Sequence, residues 1–81
     1  MIEEIGEPID VSAVFTCRVK PVAFRWRRRR YVISEVTGRH SALKGGYRRY
    51  SYAVRADSEE IYEITLDTRN MTWRLERIHS V

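Results

Sequence analysis

The chain has one cysteine, two prolines, four glycines, two histidines and only two lysines among its 81 residues. A single thiol, Cys17, excludes an intramolecular disulfide, so packing alone must hold the fold, which fits a reducing compartment. No apolar run approaches the ~20 residues of a membrane-spanning helix. The start, Met1-Ile2-Glu3-Glu4, is acidic where a secretory signal would be basic. A soluble, cytoplasmic protein is expected. There is no internal repeat or low-complexity segment, and the length fits one domain with one modest core. Residues 1–7 read as an acidic N-terminal tail and residues 8–81 as a single β domain.

The residues of catalysis are also scarce. An enzyme needs a nucleophile, a base and an orienting group, or else a metal. His40 reads as a loop residue and His79 as part of a frayed C-terminus, with no glycine-rich phosphate loop or His/Glu motif beside them. Cys17, His40 and His79 lack the close pair spacings of a metal site. Cys17 falls on the apolar parity of its segment and reads as a small core residue. Glu59, Glu60 and Glu63 read as a solvated turn. The expectation is a non-enzymatic chain without a metal or cofactor.

What the sequence does have is segregated charge. Residues 1–17 carry four acids and no base, a net of −4. Residues 18–55 carry twelve bases against Glu35 alone, a net of +11, and residues 56–81 carry three bases and six acids, a net of −3. The overall +4 thus hides a strongly basic middle, a field that can steer an anionic partner. Thirteen of the fifteen bases are Arg, whose planar fork matches phosphate and carboxylate and stacks on rings.

Hydropathy has a period of two. Ile9, Val11, Ala13, Phe15, Cys17 and Val19 alternate with polar residues, Val14 excepted, and predict a strand with one buried face. Pro21 interrupts it, and Val22, Phe24 and Trp26 resume the alternation against Arg25 and Arg27. A turn at Arg28-Arg29 would set Trp26 opposite Tyr31 and Phe24 opposite Ile33; a wider turn is the alternative, because neither arginine takes φ > 0 as cheaply as Gly or Asn. A strand through Tyr31–Val36 then enters the longest connection, Thr37–Gly46. Further strands are expected through Tyr50–Ala56, Tyr62–Leu66 and Met71–Leu75, separated by Asp57-Ser58 and Thr68-Arg69-Asn70. The parity of Ile78 predicts a bulge near Arg77. The fold class is all-β, a small antiparallel meander of five to six strands curled into a barrel or half-barrel. The expected core is Val11, Phe15, Phe24, Trp26, Ile33, Tyr52, Val54, Ile64, Leu66, Trp73 and Leu75.

With Phe24 and Trp26 inward, Arg25 and Arg27 point outward, Arg28 and Arg29 extend past the sheet, and Arg30 continues the patch on the return strand. Arg49 and Arg55 share the outward parity of their strand, with Arg48 beside them and Lys44 and Tyr47 in the preceding loop. Basic residues with interleaved aromatics suit nucleic-acid phosphates and exposed bases. The competing reading is that these arginines solvate a sheet and pair with the acidic first and last strands.

The run Ala23–Ile33, with Arg48–Arg55, Ile61-Tyr62-Glu63-Ile64 and Trp73–Ile78, resembles a small bacterial family of unknown function. That family shows a basic hairpin opened by a Phe and Trp pair, an Arg- and Tyr-rich strand, an aromatic-acidic strand and a final Trp-x-Leu. The likeness spans roughly residues 8 to 79. A similar module stands at the C-terminus of polymerase-like proteins of the Y family used in bacterial mutagenic translesion synthesis. The resemblance implies DNA or a repair protein as partner, by association. Where the family pattern has glycine in the hairpin turn, this chain has Arg28, which implies a wider turn or a more cationic tip. The leading expectation is a binding module that contacts nucleic-acid phosphates, DNA above all, with little sequence preference. The runner-up is a protein-interaction adaptor that grips an acidic partner, or accepts a strand at an exposed edge, a second copy of itself included.

Overall fold

The computed structural model, which describes residues 1–80, contains seven strands. They are β1 (Ile2–Phe15), β2 (Val19–Trp26), β3 (Arg29–Val32), β4 (Glu35–Lys44), β5 (Tyr47–Arg55), β6 (Ile61–Asp67) and β7 (Thr72–His79). All pair antiparallel in one sheet of order β3-β2-β1-β7-β6-β5-β4. The all-β meander is as expected, with seven strands where five to six were read, and it is curled without closing into a barrel. Six antiparallel steps separate β3 from β4, so both run the same way, and only Ile33 and Ser34 lie between them. Ile33 N–H donates to Val22 O at 3.0 Å and Ser34 N–H to Arg55 O at 2.8 Å. Here the chain leaves β2 and takes up β5, so the two edges of the sheet meet at one corner. No ladder joins β3 to β4 among the described residues.

Bulges set the curl. Between Glu4↔Arg77 and Glu7↔Leu75, β1 holds one residue more than β7, and Gly6 takes the left-handed φ of +66° that this bulge requires. Arg74 Nη2 donates to Gly6 O at 2.5 Å across it. Pro21 sits inside β2, where the pairing steps from Ser12↔Ala23 to Ala13↔Pro21 and skips Val22, so the missing N–H of proline falls at an irregularity. The bulge foreseen near Arg77 is present: Glu63↔Arg77 is followed by Ile64↔Leu75.

Phe24, Ile64, Leu66, Leu75, Val54 and Pro21 are almost wholly buried. Phe24 stacks on Tyr31 with centroids 4.9 Å apart and meets Tyr62 edge-on at 5.4 Å. Tyr52 donates its hydroxyl to Val19 O at 3.2 Å, linking β5 to the start of β2 across the interior. Val11, Trp26, Ile33 and Trp73 are partly buried against this core. Phe15 is the exception at 63% exposed: β1 ends with it, and the turn that follows carries it past the core. The same turn exposes Cys17, which is not a core residue.

Three further readings change. Residues 2–7 are not a tail but the first half of β1, paired with β7. Thr37–Lys44 is not a loop but most of β4, with His40 opposite Ser51. Glu63 and His79 are not a solvated turn and a frayed end. Glu63 accepts from His79 Nε2 and from Arg77 Nη1 at 2.7 Å, while Arg77 Nε also reaches Glu4 at 3.1 Å. Partial burial works against ionisation of Glu63, but the hydrogen bonds from His79 and Arg77 outweigh it and hold its carboxyl below the ordinary range. This cluster ties β1, β7 and β6 together. Leu75 packs at the centre of the same strands, so Leu75→Ala should cost ~2–5 kcal/mol in urea denaturation.

Candidate functional site

The β2–β3 hairpin turns one residue earlier than the alternation predicts. Trp26 faces Arg29, Arg25 faces Arg30 and Phe24 faces Tyr31, which leaves Arg27-Arg28 as the turn. Their φ values of 50° and 66° are those of a two-residue type I′ turn. The turn is therefore tight rather than wide, with two arginines where Asn-Gly is preferred. This register produces the Phe24–Tyr31 stack and leaves the Trp26 indole beside β1.

Two of the hairpin arginines are spoken for. Glu7 accepts from Trp26 Nε1 at 3.0 Å and from Arg27 Nη2 at 2.8 Å, while the Arg27 guanidinium lies 4.5 Å from the Trp26 ring centroid. The hydrogen bond from Arg27, then that from Trp26, holds the Glu7 carboxyl below its ordinary range. Arg29 stacks on Tyr31 at 5.1 Å and approaches Asp57 at 4.0 Å. Arg25, Arg28 and Arg30 differ: they are exposed and make no ion pair among the described residues. Arg25 and Arg30 are direct cross-strand neighbours on the outer face, a like-charge pair that destabilises a bare sheet. Asp10 lies across from Arg25 on its other flank without forming an ion pair. A shallow groove of about 470 Å³ runs beside them, lined in part by Asp10, Arg25, Trp26 and Arg28.

The second predicted group, Arg55 excepted, lies elsewhere. Lys44 ends β4 and Tyr47 begins β5, on either side of a Gly45-Gly46 turn with φ of 60° and 83°. Arg48 reaches Ser41 Oγ at 3.5 Å, and its carbonyl accepts from Thr68 Oγ1 at 2.6 Å. Arg49 is half-buried and paired with Asp67 at 3.7 Å; Arg55 pairs with Glu35 at 3.3 Å. The β2–β3 tip meets the β5–β6 turn through Asp57, whereas the β4–β5 tip meets the β6–β7 turn through Thr68. The length of β5, ~25–30 Å at 3.3 Å per residue, separates the two ends. The ten predicted residues are thus divided, with Lys44, Tyr47, Arg48 and Arg49 at one end of β5 and Arg55 at the other end with the hairpin, and acids neutralise Arg27, Arg29, Arg49 and Arg55 among them.

Comparison with protein-family models, curated proteins and solved structures finds no match to this chain. Among the described residues, no group of three His, Cys, Asp or Glu side chains is placed to hold a metal ion.

Sequence reasoning missed Arg18 and Arg39, which both line a cleft between the β1–β2 turn and β4. Residues 9–20 read as one strand and residues 37–46 as a loop, so neither position had a face to belong to. Gly45-Gly46 was the available signal, being a two-residue hairpin turn that calls for strands on both sides.

The Glu7 carboxylate, held low, contributes stability above its unfolded value of about 4.5, and that contribution is lost as pH falls through the lower folded value. A tryptophan fluorescence titration should therefore show a transition below pH 4.5, and Glu7→Gln should abolish it.

Proposed function

We propose that the chain is a non-enzymatic binding module whose β2–β3 hairpin contacts nucleic-acid phosphates with little sequence preference. One observation carries the reading: among the described residues Arg25, Arg28 and Arg30 have no acid partner, on a hairpin that Glu7 braces through Trp26 and Arg27. Two arginines directly opposed on an open face, and two more in left-handed turn positions, oppose stability locally. An anion along the hairpin would relieve the repulsion. DNA is the nucleic acid favoured by the resemblance to modules carried by translesion polymerase-like proteins, and a cytoplasmic role in repair follows from the same association.

A second reading rests on β4. It is a ten-residue edge strand, exposed along most of its length and without proline, and such an edge can accept an extended acidic segment or a second copy of the chain.

Fluorescence anisotropy of labelled single- and double-stranded DNA and RNA, with polyglutamate as competitor, separates the two. Three phosphate contacts on duplex DNA predict a salt slope near ~−2.7, or about 40-fold weaker binding between ~50 and ~200 mM salt. Arg25→Ser/Arg28→Ser/Arg30→Ser should abolish binding, and Arg49→Ser/Arg55→Ser should leave most of it. No binding at the lower salt, or equal binding by the triple variant, would sink the hairpin reading. Edge capture should instead survive the triple variant and fail with proline at His40 or at Ser41, since one of these successive residues turns its N–H away from β5. Arg28→Gly should raise stability by ~1 kcal/mol while weakening DNA binding.

A further inference from the structure

The corner at Ile33-Ser34 has a consequence below it. β3 ends at Val32 opposite Ala23, so the first half of β2 is paired with β1 on one side only, and β4 is paired only with β5. The seam between them holds a cleft of about 360 Å³. Arg18 and Val19 form one wall, and Arg39, Ser41, Tyr50 and Tyr52 the other. Arg39 and Ser41 belong to the row that faces Tyr52 and Tyr50 across the β4–β5 ladder. Among the described residues no acidic side chain lines the cleft. Neither Arg18 nor Arg39 makes an ion pair among the described residues, and Glu35 in the adjoining groove is engaged by Arg55. Burial pushes the Tyr52 phenol up, and the charges of Arg39 and Arg18 oppose it.

We infer that this seam cleft binds one nucleoside phosphate monoester, its phosphate held by Arg18 and Arg39 and its base against Tyr50. Charge selects the head group. Two guanidiniums match the charge of −1.5 to −2 that a phosphate monoester carries near neutral pH, whereas a carboxylate would leave one uncompensated. The walls select the rest: aromatic rings beside a cation suit a planar base. Size limits the ligand to one nucleotide, because about 360 Å³ lies near the lower end of the ~300–1,000 Å³ of small-molecule sites. The same chemistry arises in a free mononucleotide and at the 5′-phosphorylated end of a single strand. The site does not depend on the hairpin reading, since it shares no residue with Arg25, Arg28 or Arg30.

The test is calorimetric titration of the full chain with adenosine 5′-monophosphate, adenosine and inorganic phosphate, and with 5′-phosphorylated and 5′-hydroxyl hexadeoxynucleotides. Alkylation of Cys17, which lies on the rim of the cleft and is the sole thiol, gives an independent local readout. The monophosphate should bind at least about tenfold more tightly than adenosine or phosphate and should slow alkylation. Arg18→Ser and Arg39→Ser should each weaken it by about ten- to a hundredfold, with Arg39→Lys between wild type and Arg39→Ser. Arg25→Ser/Arg30→Ser should leave it unchanged, so failure here and failure of the hairpin reading are distinguishable. A 5′-phosphorylated strand binding more tightly than both the mononucleotide and the 5′-hydroxyl strand would identify the strand end as the source; a preference for the mononucleotide would identify the free nucleotide. Equal affinity for phosphate and the monophosphate, unaltered binding by both serine variants, or undiminished Cys17 alkylation would overturn the proposal.

Discussion

The pairing of the first strand with the last is the constraint on which the rest of this molecule depends. Every other ladder joins strands that follow one another in the chain; β1↔β7 alone joins its two ends. Without it, β1–β2–β3 and β4–β5–β6–β7 would be two separate ribbons, each with one apolar face exposed. The pairing brings Phe24 and Tyr31 of the first ribbon onto Tyr62 of the second, and Tyr52 to the Val19 carbonyl. The ion-pair cluster of Glu4, Arg77, Glu63 and His79 sits on this junction, and so does the contact of Arg74 with the Gly6 carbonyl. Contacts of such long sequence separation form only after most loop-closure entropy is lost, which favours slow, cooperative folding.

The same closure sorts the charges. Acids at both ends of the chain are carried onto the flanks of the basic middle, where Glu7 meets Arg27, Asp57 meets Arg29 and Asp67 meets Arg49. Exposed pairs of this kind contribute little stability. Their larger effect is to decide which arginines remain available. Of a middle segment that looks uniformly cationic in sequence, the fold leaves Arg25, Arg28 and Arg30 at the hairpin, Lys44 and Arg48 at the β4–β5 end, and Arg18, Lys20 and Arg39 along the seam. Three small cationic surfaces replace one broad patch.

Much of this architecture was legible in the order of residues. Alternation located the strands around Phe24, Tyr52, Ile64 and Leu75, and it placed their side chains correctly in the core, because a side chain either faces water or does not and the period is two wherever one face is buried. It failed at Thr37–Lys44, where an edge strand exposed on both faces has no hydropathy pattern to read. It failed also at Phe15 and Cys17, where the pattern runs on past the end of the pairing. The turn at Arg27-Arg28 escaped because its residue types disfavour the backbone they adopt, and the register it sets stacks Phe24 on Tyr31.

The sequence by itself determined an antiparallel β chain with a basic middle, since periodicity and charge are properties of neighbours along the chain. Only the tertiary structure decided that the two ends pair, that β3 and β4 are the free edges, and which arginines keep their charge uncompensated. Those outcomes depend on acids and bases up to 73 residues apart, as Glu4 and Arg77 are, and local preferences cannot encode such distances.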